Sequence, residues 1–242
     1  MLAPNCHDSY SSCMKRNEQN LALQVLRAAD WLKQYPIMLA ERLLAEGTLM
    51  RLNVGEWAQA EGDTRNGLFV VIDGLLHSYC AAPGDRVVMI GFAEPGSVLG
   101  HATRYSGGPR LVTAICVEPS ILLEVSEAAL DRVAVHSPEI WRAIAGFAYT
   151  HMRSALRMAA EVISLRPRER IAARLLATAK HGQGYGPPVI TISQEMLGEM
   201  IGLTRKTVNY HLSAFERAGL IRVGYGRIDL CDVRGLQEIA NG

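Results

Sequence analysis

The chain has 242 residues, 20% of them charged and 49% hydrophobic. That is an ordinary globular composition, and it excludes a mainly disordered, collagen-like or low-complexity protein. The near-neutral balance of 25 basic and 24 acidic residues conceals an asymmetry: residues 150–242 carry 13 basic and 8 acidic side chains, against 12 and 16 in the remainder. A basic C-terminal part on an acidic N-terminal part fits a polyanion-binding module attached to something else. No apolar run approaches the roughly 18–20 residues of a membrane-spanning helix. The polar opening MLAPNCHDSYSSCMKR does not read as a secretory signal, so a cytoplasmic protein with no membrane partner is expected. Cys6, Cys13, Cys80, Cys116 and Cys231 are scattered, odd in number and without a C-x-x-C pair. They read as reduced thiols rather than a disulfide framework.

In chain order, residues 1–17 read as a flexible polar tail. Residues 18–34 form a short helix with Leu21, Val25, Leu26, Ala29 and Leu32 on its apolar face, and a second helix starts at Pro36 and runs to about Glu46. From about 48 to 125, short apolar runs alternate with glycines. The runs are Leu68–Ile72, Val87–Ile90, Leu111–Val117 and Ile121–Val125, and the pattern is that of an antiparallel barrel or roll. Ser126 caps a short helix that ends before Pro138.

A long helix then runs from Glu139 to about Leu165. Along it Trp141, Ala145, Ala148, Met152, Ala155, Ala159 and Val162 make an alternating four–three seam, widened by Ile144, Phe147 and Met158. Two readings of the seam stand: a helix packed on its own domain, or a dimer interface. The width of the apolar arc favours the dimer. Arg166-Pro167 breaks the helix and marks the expected domain boundary and hinge. A further helix from Arg168 to about Lys180, a turn-rich loop at 181–188 and a short strand at 189–192 follow.

Residues 193–220 carry the sharpest signal. Ser193 caps a helix with Leu197, Met200 and Ile201 on its apolar face, Gly202 turns the chain, and Thr204 caps a second helix buried through Val208, Leu212 and Phe215. Lys206, Tyr210, Ser213 and Arg217 lie opposite that apolar face, with Arg205 and Asn209 at its flank. The second helix of such a pair enters the DNA major groove, its N-terminal residues on base edges. Leu220–Val223, Gly224-Tyr225-Gly226 and Arg227–Leu230 form a hairpin, which makes the helix pair winged. The candidate DNA-contact set is Ser193, Thr204, Arg205, Lys206, Thr207, Asn209, Tyr210, Ser213 and Arg217. The competing reading is a small-molecule-binding or interaction protein whose helical hairpin is structural.

Gly55-Glu56, Gly62-Asp63, LFVVIDG at 68–74, PGSVLG at 95–100, the long helix and LGEMIGLTRKTVNYHL at 197–212 occur in one order. Over roughly residues 30–235 the chain so resembles the cyclic-AMP receptor and fumarate–nitrate regulator (Crp–Fnr) family of bacterial transcription factors. The resemblance implies an α+β protein: an eight-stranded effector-binding β-roll of jelly-roll type, a dimerisation helix and a C-terminal winged helix-turn-helix. The corresponding division is 1–17 tail, 18–137 sensing roll with flanking helices, 138–165 dimerisation helix and 166–242 DNA-binding domain. The resemblance further implies a homodimer on two-fold symmetric double-stranded DNA, with RNA polymerase as a partner if it activates. Arg205 matches the family's guanine-reading arginine, whose guanidinium bonds O6 and N7 together. Lys206 stands where the family usually has glutamate, and Tyr210 where its best-known members have arginine.

The effector pocket matches less well. After Gly100, the family's ribose-binding glutamate is replaced by His101, and its phosphate-binding arginine–serine pair by Arg110-Leu111. Cyclic AMP is therefore not the expected effector. An iron–sulfur cluster needs four thiolates, and only Cys6 and Cys13 lie near the N-terminus, so none is expected. Haem through His77 on a strand is not expected either, and no Cys/His spacing favours zinc. The chain lacks a P-loop, a G-x-S-x-G and an H-E-x-x-H, so no enzyme activity is expected.

Overall fold

A computed structural model of the chain describes residues 6–64, 67–101, 107–179, 187–224 and 226–242, with side chains from residue 16 onward. The chain divides into two compact units, residues 1–151 and 152–242.

The first unit begins with helix α1 (Cys6–Ala28). The residues read as a flexible tail are therefore helical from Cys6, and the helix expected over 18–34 starts earlier and stops sooner. Its polar N-terminal turns carry no apolar periodicity, which is why the pattern does not reach them. Helix α2 (Ile37–Glu46) follows, with Pro36 just before its first turn. Eight strands follow: β1 (Thr48–Leu52), β2 (Trp57–Gln59), β3 (Leu68–Asp73), β4 (Leu76–Ala82), β5 (Arg86–Ala93), β6 (Val98–Leu99), β7 (Thr113–Cys116) and β8 (Ser120–Val125). They form two four-stranded sheets, ordered β1-β8-β3-β6 and β2-β7-β4-β5, whose described pairings are all antiparallel.

Alternation along β3 explains its unbroken apolar run. Phe69 and Val71 join Leu76, Leu99, Ala114 and Leu122 in one core cluster. Leu68, Val70 and Ile72 face the other way, into a cluster with Leu26, Leu39, Leu43 and residues of the following helices. A strand buried on both faces needs apolar residues at every position. Helix α3 (Glu127–His136) is capped by Ser126, whose hydroxyl accepts from the Ala129 amide at 3.2 Å. The long helix α4 (Glu139–Ser164) starts in this core through Ile140, Ala143 and Ile144.

The second unit holds the rest of α4, then α5 (Pro167–Thr178), β9 (Val189–Ile190), α6 (Gln194–Ile201), α7 (Arg205–Arg217), β10 (Ile221–Gly224), β11 (Arg227–Leu230) and α8 (Val233–Asn241). The loop read at 181–188 falls largely outside the described residues, as does Tyr225 at the wing's tip. Strands β10, β11 and β9 make a three-stranded antiparallel sheet. Ile171, Leu175, Leu197, Ile201, Val208, Leu212, Phe215, Ile228 and Leu236 are buried in this unit.

The chain does bend at Arg166-Pro167, yet the compact units part at His151/Met152. Side-chain bonds fasten the end of α4 to α5, among them Arg174 Nη2 to Glu161 Oε2 at 2.8 Å. Such bonds are invisible to a reading that places boundaries at prolines.

Candidate nucleic-acid interface and effector pocket

Local chemistry builds the helix pair. The Ser193 hydroxyl accepts from the Met196 amide at 3.1 Å and the Thr204 hydroxyl from the Thr207 amide at 3.2 Å, so each helix begins on a capped orphan amide. The turn between them is tight enough that a Cβ at Gly198 would lie 2.6 Å from the Leu203 carbonyl oxygen. Only glycine fits there, a requirement that the apolar pattern of α6 does not signal. Val208, Leu212 and Phe215 anchor α7 inward. Glu216 Oε1 accepts from the Val223 amide at 2.9 Å, which ties the wing to the same helix.

With those three residues inward, Arg205, Lys206, Asn209, Tyr210, Ser213 and Arg217 are all exposed. Thr207 is half-buried, and its hydroxyl lies 2.9 Å from that of Thr204, so it braces the cap. No acidic residue occupies the first turn of α7. Arg205 and Lys206 therefore add full charges to the partial positive charge of a helix N-terminus. A cleft of about 280 Å³ opens beside them, lined by Ser193, Gln194, Arg205, Gly224 and Arg227. A capped helix start, Arg205 and the wing backbone converge there, together with the Glu195 carboxylate and Arg227, which pairs with Asp229 at 2.6 Å.

The residues expected to form an effector pocket in the roll are placed differently. Arg110 is 3% exposed. Its Nη1 donates to the Gly67 carbonyl at 3.1 Å, and its guanidinium lies 5.5 Å from the centre of the Phe69 ring. Gly100 adopts φ +81°, and a Cβ there would collide with Arg110 Nη1. The glycine thus makes room for the guanidinium. Leu111, expected beside it in the pocket, is 66% exposed; the structure turns it outward, because the chain here is irregular and alternation does not govern it.

His101 turns toward α4 instead. Its ring centre lies 5.0 Å from that of Phe147 and 5.1 Å from that of His151, and the Phe147 and His151 rings lie 4.1 Å apart, tilted by 42°. Trp31 meets Phe147 edge-on at 6.3 Å. Burial first, then His151, then Arg110 bring the His101 pKa down to about 4, and burial lowers His151 as well. The imidazoles are neutral at pH 7. Sequence reasoning assigns none of Phe69, Phe147 and His151 to this site. The Phe147/His151 spacing of four on a helix is the one signal that points there.

Of the seam residues, Trp141 is half-buried against the core of the first unit, and Ile144 and Phe147 also pack there. The seam's start is thus a domain contact rather than a free interface. Beyond it, Ala145, Met152, Ala155, Ala159 and Val162 are exposed and Ala148 is half-buried. Tyr149, Leu156 and Ile163, outside the expected seam, are 61%, 65% and 85% exposed and broaden the apolar stripe.

Residues weighed as cofactor ligands are placed as follows. His77 is buried on β4, with the Tyr79 hydroxyl 3.4 Å from its Nδ1. Cys80, Cys116 and Cys231 are free thiols, and the side chains of Cys6 and Cys13 lie outside the described residues. Among the described residues, no three His, Cys, Asp or Glu side chains converge as a metal site. No helix among them is long and apolar enough to cross a membrane.

Residues 169–239 match the Crp-like helix-turn-helix domain, and residues 49–137 match the cyclic nucleotide-binding domain. The chain belongs to the Crp–Fnr family. The transcriptional regulatory protein Btr of Bordetella pertussis is 25% identical over 194 residues, covering 78% of this chain and 80% of its own. The cyclic AMP receptor protein of Thermus thermophilus is 25% identical over 183 residues, covering 75% and 83%. In fold, the structure of FixK2 from Bradyrhizobium japonicum superposes with a TM-score of 0.70 at 21% identity, covering 80% of this chain and 96% of that one. This Crp–Fnr chain is a transcription regulator with a helix-turn-helix DNA-binding domain and a cyclic-nucleotide-binding-like roll.

Proposed function

We propose that the regulator acts as a homodimer on two-fold symmetric operators, paired through the α4 stripe of Tyr149, Met152, Ala155, Leu156, Ala159 and Ile163. The exposure of that stripe supports this reading: large apolar side chains in a continuous row on one helix favour a partner surface. Each protomer presents α7 to a major groove. Arg205 reads a guanine through its O6 and N7, and Lys206 and Tyr210 give a half-site preference unlike that of the family's best-known members. Arg217, at the other end of the same helix, contacts phosphate. The protein works on cytoplasmic DNA, and RNA polymerase is its partner where it activates.

The roll does not bind cyclic AMP tightly in this reading. Its one retained anion-binding residue, Arg110, is buried and bonded to the Gly67 carbonyl, and His101 and Leu111 replace the polar partners. Each lost polar contact to a buried ligand costs about 1–3 kcal/mol. Selection of duplexes from a random pool, followed by sedimentation of the complex, tests the dimer on DNA. A selected site without two-fold symmetry overturns it. Titration calorimetry with cyclic AMP tests the pocket, and micromolar or tighter binding overturns that part.

A further inference from the structure

The Arg170 side chain of α5 bonds the ends of two other segments at once. Its Nη2 donates to the Val162 carbonyl at 2.8 Å and to the Leu165 carbonyl at 3.0 Å, at the end of α4. Its Nη1 donates to the Ile201 carbonyl at 3.0 Å, on the last residue of α6. The final carbonyls of a helix have no intrahelical partner and carry its negative partial charge. One cation thus caps two helices.

A second tie lies beside it. Glu161 on α4 is 7% exposed, and its carboxylate accepts from Arg174 of α5 at 2.8 Å and from Arg157 at 3.2 Å. The last turns of α4 are thereby fastened to α5, and through Arg170 to the turn that launches α7. Ile201 directly precedes Gly202 and the α7 cap at Thr204.

From this arrangement we infer that Arg170 is a positioning residue for DNA reading: it sets where α7 stands relative to the end of the long helix, and so which half-site spacing the dimer accepts. The inference rests on the homodimer reading above. If the long helices pair, the joint between α4 and the helix pair fixes the distance and angle between the two reading heads. A planar guanidinium fork reaches diverging carbonyls in fixed directions, whereas an ammonium is a compact point charge on a flexible stem. Lysine at 170 therefore keeps the charge and loses the geometry.

The test uses the full-length protein and a duplex that the wild type selects from a random pool, together with two derivatives whose half-sites are moved one base pair closer or further apart. One base pair turns a half-site by about a tenth of a helical turn. The wild type is expected to lose about tenfold or more in affinity on either derivative. Arg170→Lys and Arg170→Met are expected to bind the selected duplex several-fold more weakly and to lose only about threefold more on the derivatives. A role in folding alone lowers affinity on all three duplexes by one factor and leaves the spacing penalty at its wild-type size. That result overturns the inference. Arg170→Lys, which keeps size and charge, carries the test if Arg170→Met does not fold; Glu161→Gln adds a second loosened joint with the same expected change in spacing tolerance. A wild type that selects only single, unpaired half-sites removes the homodimer reading, and this inference with it.

Discussion

Arg110 and Arg205, the two arginines expected to contact ligands, stand in opposite surroundings in the two units. Arg205 stands exposed in the first turn of α7, beside a cleft and among other donors. Arg110 is buried, bonded to a backbone carbonyl and lodged where Gly100 leaves space for it. The same side chain is a reaching group in one unit and an internal tie in the other. A matched residue type therefore carries a role only where its surroundings leave it free to act. The winged helix leaves its arginine exposed, whereas the roll holds its arginine in a buried hydrogen bond.

The largest expected effect lies on α4, which runs from one unit into the other. Glutamates at Met152 and Ala155 place unpaired charges in the stripe, which costs about 3–5 kcal/mol if it is buried between protomers. Monomers in sedimentation and loss of operator affinity are expected. A double variant that stays dimeric moves the interface elsewhere.

Gly100→Ala tests the internal role of Arg110. The alanine must adopt φ +81° and displace the guanidinium, and a loss of about 2 kcal/mol or more in chemical denaturation is expected. Wild-type stability would mean that the arginine swings out freely.

Acid probes the same pocket. The folded-state pKa of His101 lies near 4, below its unfolded value of 6.5. The unfolded chain then binds more protons between those values, so this contribution is complete above about pH 6.5 and is lost as pH falls toward 4. The groups facing it, His151 and Arg110, add to the repulsion once it is charged. The wild type should lose up to about 2 kcal/mol more than His101→Gln across that window. If stability falls by the same amount in both proteins, the imidazole stays solvated in the folded state.

The reading helix is tested through DNA rather than stability. Arg205→Ala is expected to cost about 1–3 kcal/mol per half-site and to relax discrimination at one guanine. Arg217→Ala should weaken all sequences evenly and reduce the salt slope by about one unit. Binding across single-base operator variants at two salt concentrations separates them. Equal weakening of every variant by Arg205→Ala makes it a backbone contact.

Much of the winged helix is legible in the sequence because its determinants are local. Caps, a helical period and a glycine turn fix which side chains of α7 face outward, and Ser193, Thr204, Val208, Leu212 and Phe215 all take the places their spacing implies. Four of the roll's strands, β3, β5, β7 and β8, are legible as apolar runs between glycine turns, whereas the short or mixed β1, β2 and β6 are not. The pocket is not. Leu111 and His101 lie in irregular chain, where no period fixes direction, and the rings beside His101 and Arg110 come from distant segments: Phe147 and His151 for the first, Phe69 for the second. The N-terminal extension of α1 escapes because a polar helix start carries no apolar pattern.

By itself the sequence determined the helix pair with its wing, the alternation of apolar runs and glycines ahead of it, the outward face of α7 and the break at Arg166-Pro167, because each follows from hydrogen-bond and packing rules within a few turns of chain; it did not mark α8. Only the tertiary structure decided that Arg110 is buried and bonded to the Gly67 carbonyl, that Trp141 packs on the core while Leu156 and Ile163 stand exposed on α4, and that Arg170 and Glu161 join the end of α4 to α5 and α6. Those outcomes depend on which carbonyls and rings distant segments bring within reach of a long side chain, and spacing along the chain does not record that.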